Sequence, residues 1–178
     1  VAGLTTLPVA IQNAPQLMGR GLTADDIASL VTAYPHITYV KGEMPVLEVD
    51  RLKRVAGSLV VFNGQGGLEM LDNLRAGCAG FILAPDIVDW AVAIFSAWQA
   101  GDTASAQRLY GTMLTESVFV MKSLEHLHTY GKRIFGLRAG IAIHDRAPFV
   151  EPTNFGLQLV RAHVGAMGRI PLRPISTG

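Results

Sequence analysis

The chain has 178 residues, a length that suits one domain of ordinary size. Hydrophobic residues make up 49% and charged residues 16%, against about 25% charged in average proteins, and this excludes a disordered chain. The formal charge is +1, from 15 basic and 14 acidic residues with no basic patch or acidic tail, which excludes nucleic acid as the expected partner.

The elements follow a regular rhythm. Pro8–Gln12 (PVAIQ) predicts a first strand, and Thr23–Ala33 a helix opened by a capping signature, Thr23 with Asp26 three residues on. Ile37–Lys41 (ITYVK) predicts a second strand. Pro45–Ala56 predicts a helix with proline at its first position. Leu59–Asn63 (LVVFN) and a helix over Leu68–Arg75, stopped at Gly77, form the third unit. Ala79–Leu83 and the long apolar helix Asp86–Ala100 form the fourth. Helices over Asp102–Ser123, Leu124–Arg138 and Thr153–Gly168 follow with no strand between them.

Strands apolar on both faces and alternating with helices predict an α/β fold with a covered parallel sheet. Two architectures fit. One is the second half of a (β/α)8 barrel, strands 5–8 in residues 1–100, followed by a helical extension in residues 101–178. The other is a small open doubly wound domain. The apolar composition calls for either oligomerisation or further parts of the fold to cover it.

Several classes of chemistry drop out. The single cysteine, Cys78, permits no internal disulfide and no cysteine metal cage; a reducing, cytoplasmic location follows as an expectation. Val1–Leu7 lacks the pattern of a secretory leader. The most apolar run, Gly80–Trp98, is interrupted by Pro85, Asp86 and Asp89 and does not predict a membrane span. His126 and His128 do not share a helix face, and His36, His144 and His163 stand alone, so no metal site is expected. Cys78 reads as a buried filler, and Trp90, Phe95 and Trp98 as packing residues.

Lys41 ends an apolar strand, at the sheet end where active sites of parallel folds are built. A desolvated amine there favours its neutral form and attacks ketones to give a Schiff base. The bland alternative is a lysine that solvates the strand end. Glu43 points the same way if the strand continues, roughly 6–7 Å from Lys41 between Cα atoms. It is placed either to move a proton or to form a surface ion pair. Gln12 and Asn13 end the first strand with amides that position substrate groups without carrying protons. Asn63-Gly64-Gln65-Gly66-Gly67 ends the third strand, where glycines admit a ligand close to the backbone or simply make a tight turn.

Together PVAIQNAP, YVKGE, VFNGQGG and AGCAGFILAP resemble, in order, the second half of the dihydrodipicolinate synthase and N-acetylneuraminate lyase family. Arg146-Ala147-Pro148 resembles that family's Arg-x-Pro segment. The resemblance implies a (β/α)8 class I aldolase fold with added C-terminal helices. It implies Lys41 as the imine-forming lysine, and no metal or organic cofactor. A small 2-keto acid would be the ligand, the other half of the barrel a partner, and a homodimer or tetramer the assembly. Departures narrow the substrate. Gln12 stands where the family's proton-shuttling tyrosine is usual, and Leu17 where dihydrodipicolinate synthases carry their carboxylate-binding arginine. Gly66 and Gly67 stand where sialic acid lyases carry acidic residues. The branch of 2-keto-3-deoxy-L-arabonate dehydratases is similar in its Gln-x-Ala-Pro and Lys-x-Glu-x-Pro runs, here Gln12–Pro15 and Lys41–Pro45.

The implied activity is dehydration of a 2-keto-3-deoxy sugar acid. Lys41, Glu43 and Gln12 would be the catalytic residues, and Asn13, Gly64, Gln65 and Gly66 would line the substrate. Retro-aldol cleavage to pyruvate is the alternative within the same chemistry, as in an N-acetylneuraminate lyase. A sugar-acid-binding relative without catalysis is the alternative from another class.

Overall fold

The computed structural model describes residue 3, residues 5–147 and residues 149–171. Pro148 of the Arg-x-Pro segment and residues 172–178 of the expected extension lie outside the described residues. The chain divides into two compact units, Val1–Leu83 and Ala84–Gly178.

The first unit alternates strands β1 (Val9–Asn13), β2 (Ile37–Gly42), β3 (Val60–Asn63) and β4 (Gly80–Phe81) with helices. These are α1 (Pro15–Met18), α2 (Ala24–Ala33), α3 (Val46–Val55) and α4 (Met70–Arg75). The strands pair in parallel in the order β1-β2-β3-β4. Each crossover therefore steps one strand further in the same direction. A doubly wound sheet reverses its order at a switch point; a barrel wall does not. The strand order thus decides between the two architectures left open by the rhythm.

Helix positions follow local chemistry. Thr23 and Asp26 form the full reciprocal capping box of α2. Pro45 is the N-cap of α3, one position outside the expected first turn. Helix α4 starts late because Gln65, Gly66 and Gly67 all take positive φ (49°, 58° and 71°) and fold into a 3-10 turn first. The unexpected α1 uses Pro15 in its first turn and closes at Gly19 in the left-handed region. β4 is shorter than expected, although Ala79 N–H to Val61 O (2.8 Å) and Ile82 N–H to Asn63 O (2.9 Å) extend its pairing.

The core of this unit lies under one face of the sheet. Ile27 of α2 with Val49 and Leu52 of α3 pack on Val40 and Val61, and α2 rests on α3. Side chains alternate along strands, so Ala10, Gln12, Tyr39, Lys41 and Phe62 share the opposite face. Ala10, Gln12 and Tyr39 are exposed there; Lys41 and Phe62 are half-buried.

The second unit holds α5 (Val88–Gln99), α6 (Thr103–Val120), α7 (Leu124–His126), α8 (Lys132–Ala139) and α9 (Asn154–Met167). Helix α5 packs on α6, and Val120, Tyr130, Ile134 and Val160 form a core between α6, α8 and α9. The single helix expected over Leu124–Arg138 is interrupted by a π turn at Leu127–Gly131. Nothing in the periodicity marks such a widened turn, because it changes one hydrogen-bond register rather than the apolar pattern.

Polar groups are also buried here. Arg138 is fully buried and donates to both carboxylate oxygens of Asp89 (3.0 and 2.7 Å), to Asp86 O (2.5 Å) and to Gly168 O (2.7 Å). Glu116 is buried beside Asp86. Its own burial, and then the Asp86 carboxylate, push the Glu116 carboxyl from 4.5 up to about 9. The folded chain therefore keeps a proton that the unfolded chain releases. Stability is expected to fall as pH rises between those two values, and Glu116→Gln, which needs no proton, should flatten that decline. Urea unfolding at about pH 6 and about pH 8.5, both inside the window, checks this, and an equal decline in the two proteins would refute it.

Candidate functional site

The carboxyl end of the sheet in the first unit gathers the predicted site. Gln12, Lys41 and Phe62 stand side by side in register across β1, β2 and β3. Lys41 Nζ forms an ion pair with Glu43 Oε1. The Lys41 side chain is 25% exposed and that of Glu43 10%. The ring of Tyr39, two residues before Lys41, lies 6.2 Å from that of Phe62 on the same face of the sheet.

Glu43 is held on three sides. Its backbone N–H donates to Asn13 O at 2.8 Å, which carries the β1–β2 ladder past the strand end. Its side chain lies over Gly64, where a Cβ would stand 3.0 Å from Oε1 and 3.1 Å from the carboxyl carbon. Glycine at that position is what lets β3 approach the carboxylate so closely.

The remaining predicted residues serve different roles. Asn13 is buried, and its side-chain amide is spent on the chain itself: it donates to Leu22 O and accepts from Leu22 N–H, both at 2.9 Å. This clamps the loop after β1 to the strand end. Gln12 is exposed beside Lys41. Gln65 takes φ 49°, uncommon for a residue with a side chain, and donates through Nε2 to Gln16 Oε1 at 2.9 Å. Gly66 completes the turn at φ 58°. Lys41, Glu43 and Gly64 thus form one contact group with Gln12 alongside, while Asn13 and Gln65 organise the surrounding loops.

Sequence reasoning passed over a second layer. Asn63 is buried; its amide donates to Met44 O and Asn73 Oδ1, both at 3.0 Å, and its Oδ1 accepts from Gly64 N–H at 2.6 Å. Glu69 accepts from Val46 N–H at 2.9 Å and tethers the start of α3. A polar asparagine closing an apolar strand was the available signal, but its partners lie ten and nineteen residues away. Gln16 carried no signal at all.

Other candidates resolve into packing. Cys78 belongs to the core of the first unit, and burial pushes its thiol up to about 11, away from a reactive thiolate. His126 packs against Phe119 and Tyr130, and His163 stacks on Phe119 at 4.9 Å. Among the described residues no cluster of His, Cys, Asp and Glu is arranged to hold a metal ion, and no helix is long and apolar enough to cross a membrane.

Known proteins resemble the chain in sequence and in fold. The model of the dihydrodipicolinate synthetase family matches residues 1–153. N-acetylneuraminate lyase of Enterobacter sp. (strain 638) is 35% identical over 106 residues, which is 58% of this chain and 35% of that protein. The same enzyme of Salmonella typhimurium is 34% identical over an equal span. Among solved structures, a putative dihydrodipicolinate synthetase from Pseudomonas aeruginosa superposes with a TM-score of 0.81 at 20% identity. That superposition covers 94% of this chain and 58% of the other. YagE from Escherichia coli K12, solved in complex with pyruvate, gives a TM-score of 0.79 at 21% identity, covering 92% and 57%. The chain spans little more than half the length of these structural neighbours, and its fold is that of part of the barrel followed by the helical extension.

Proposed function

Since the chain belongs to the dihydrodipicolinate synthetase family, we propose that it carries the Schiff-base half of a lyase active site that dehydrates a 2-keto-3-deoxy sugar acid. The observation that supports this most is the Lys41–Glu43 ion pair at the carboxyl end of the sheet, with Gln12 in place of a phenol beside it.

In this reading Glu43 takes a proton from the Lys41 ammonium, and the free amine attacks the C2 ketone. Glu43 returns that proton to the carbinolamine hydroxyl, which leaves as water, so an iminium and the Glu43 carboxylate remain. The iminium withdraws electrons from C3, so a carboxylate beside it removes a C3 proton and the pair moves into an enamine. Glu43 is the base, since its contact with Lys41 keeps it near every atom that bonds to Nζ. The enamine pair then expels the C4 hydroxyl, which leaves as water with the proton that Glu43 gained. Hydrolysis of the imine returns Lys41. Gln12 orients a substrate hydroxyl or the hydrolytic water, and the backbone from Gly64 to Gly66 receives polar substrate groups. No cofactor enters these steps. The first half of the barrel, which the longer relatives carry, supplies the substrate-carboxylate site, and copies of the chain assemble as a dimer or tetramer in the cytoplasm. Exposed Val88 and Val92 on α5 support an assembly surface.

Cleavage of the C3–C4 bond is the second reading, favoured by the N-acetylneuraminate lyases among the relatives. It needs a base on the C4 hydroxyl, and Gln12 carries none. Borohydride reduction of the longest natural chain with pyruvate or a 2-keto-3-deoxy pentonate tests the shared step, and an adduct mapped to Lys41 is expected. A semialdehyde product supports dehydration; pyruvate with an aldehyde supports cleavage. A folded protein that gives no adduct with excess keto acid would leave only the binding relative. Glu43→Gln should still trap pyruvate, while turnover falls by roughly 10²- to 10⁴-fold, the usual worth of a general base. Unchanged turnover would remove Glu43 from this role.

A further inference from the structure

The second unit contains a cavity of 390 Å³ bounded by the π turn, the start of α8 and the segment after α8. That volume lies within the range of small-molecule pockets, roughly 300–1,000 Å³. Four basic side chains line it: His128, Lys132, His144 and Arg146. We propose that this cavity binds a phosphate monoester, its phosphate held by those basic groups and its carbon body by Leu127 and Phe149.

The acidic groups nearby do not cancel the positive charge. Asp86 also lines the cavity, but both its carboxylate oxygens are closed off. They are served from within by Glu116, by the backbone N–H groups of Asp86 and Ile87 and by the charge of Arg138. Gly131 adds to the cover: a Cβ there would stand 2.7 Å from Asp86 Oδ2, so glycine is what lets the π turn lie against the acid. Asp145 is shared by two cations, Lys132 and Arg133, which leaves one positive charge in excess. An ammonium has three N–H donors, and Lys132 directs one to Asp145. Glu125, beside His126 and His128, is outside the lining.

The segment after α8 sorts its side chains by charge. His144 and Arg146 line the cavity; Asp145, between them, does not, and is bonded to Lys132 and Arg133 instead. His144 and Arg146 are exposed, and neither has an acidic partner among the described residues. The backbone fixes this placement. Gly140 takes a left-handed φ of 72° at the end of α8, and Ile141 N–H donates to Gly136 O at 2.9 Å. A Cβ on Gly136 would stand 2.4 Å from Ile143 Cγ1, so glycine there lets the chain fold back along the helix.

The chemistry of the four groups selects the ligand. A guanidinium forks two N–H bonds to a phosphate, an ammonium adds a point charge, and an imidazole offers an N–H in either tautomer. One guanidinium satisfies a carboxylate, whereas a phosphate monoester presents three terminal oxygens and up to two charges. A cleft whose accessible charges share one sign focuses its field on such an anion. Leu127 and the exposed ring of Phe149 offer an apolar wall that an ester's carbon body covers and a bare phosphate does not. The proposal is independent of Lys41.

Calorimetry on the full natural protein tests it, with phenyl phosphate as the probe, since it has no carbonyl to react with a lysine. Phenol, which lacks the phosphate, and inorganic phosphate, which lacks the carbon body, serve as ligand controls. Saturable one-to-one binding of phenyl phosphate is expected, with each control weaker by about tenfold or more. Arg146→Ala should weaken phenyl phosphate by about tenfold and His144→Ala by about threefold, while Lys41→Arg leaves it unchanged. Arg146 and His144 are exposed, so both variants should fold, and circular dichroism checks that they do. Absence of saturable binding up to about 10 mM, or phenyl phosphate binding equally well to the wild type and Arg146→Ala, would overturn the proposal. So would phenol or inorganic phosphate binding as tightly as phenyl phosphate.

Discussion

Lys41→Arg is expected to abolish the borohydride-trapped adduct and to reduce turnover by roughly 10⁴-fold or more, a loss of about 5 kcal/mol of transition-state stabilisation. The choice of arginine isolates the chemistry. A guanidinium keeps the positive charge and its ion pair with Glu43, so the strand end stays neutralised. It does not deprotonate at any pH a protein survives, so no lone pair is available to attack a ketone. Lys41→Ala would confound this, since it leaves the largely buried Glu43 carboxylate without its cation. Mass spectrometry after reduction, with circular dichroism to confirm the fold, makes the measurement. An adduct that persists in the arginine variant would move the imine to another lysine and end the proposed role of Lys41.

Arg138→Met should be the most destabilising single change in the second unit, at about 3–5 kcal/mol, the usual penalty for removing one partner of a buried ion pair. Arg138 is fully buried and serves Asp89, the Asp86 carbonyl and the Gly168 carbonyl at once. Methionine fills the space but returns no donor, so three acceptors lose partners together. Arg138→Met combined with Asp89→Asn removes the orphaned charge and should recover part of the loss. Urea unfolding of the two variants and the wild type measures both effects. A loss under about 1 kcal/mol for the single variant would show that the cluster relaxes to water instead.

Much of this was readable from local chemistry. Thr23 and Asp26 announced the start of α2 because a capping box is built within four residues. Lys41 and Glu43 were legible as a pair because two residues along a strand share a face, and that holds without any tertiary contact. The ordered strand-end motifs pointed to the family for the same reason: each is a short run.

What stayed hidden depends on residues distant in sequence. The β1-β2-β3-β4 order chose a barrel wall over a doubly wound sheet, and strand order is a matter of pairing between segments distant in sequence, such as Val9 with Ile37. Asn13 reads as a substrate amide in the chain, yet folding spends it on Leu22; its role was set by where the loop returned. The Asn63–Asn73 link and the Gln16–Gln65 link join side chains from different loops, and no spacing rule couples them. In the second unit, Asp86, Glu116 and Arg138 are unremarkable charges in a linear reading. Burial makes them a cluster, because a charge removed from water takes its meaning from whichever groups the fold sets beside it.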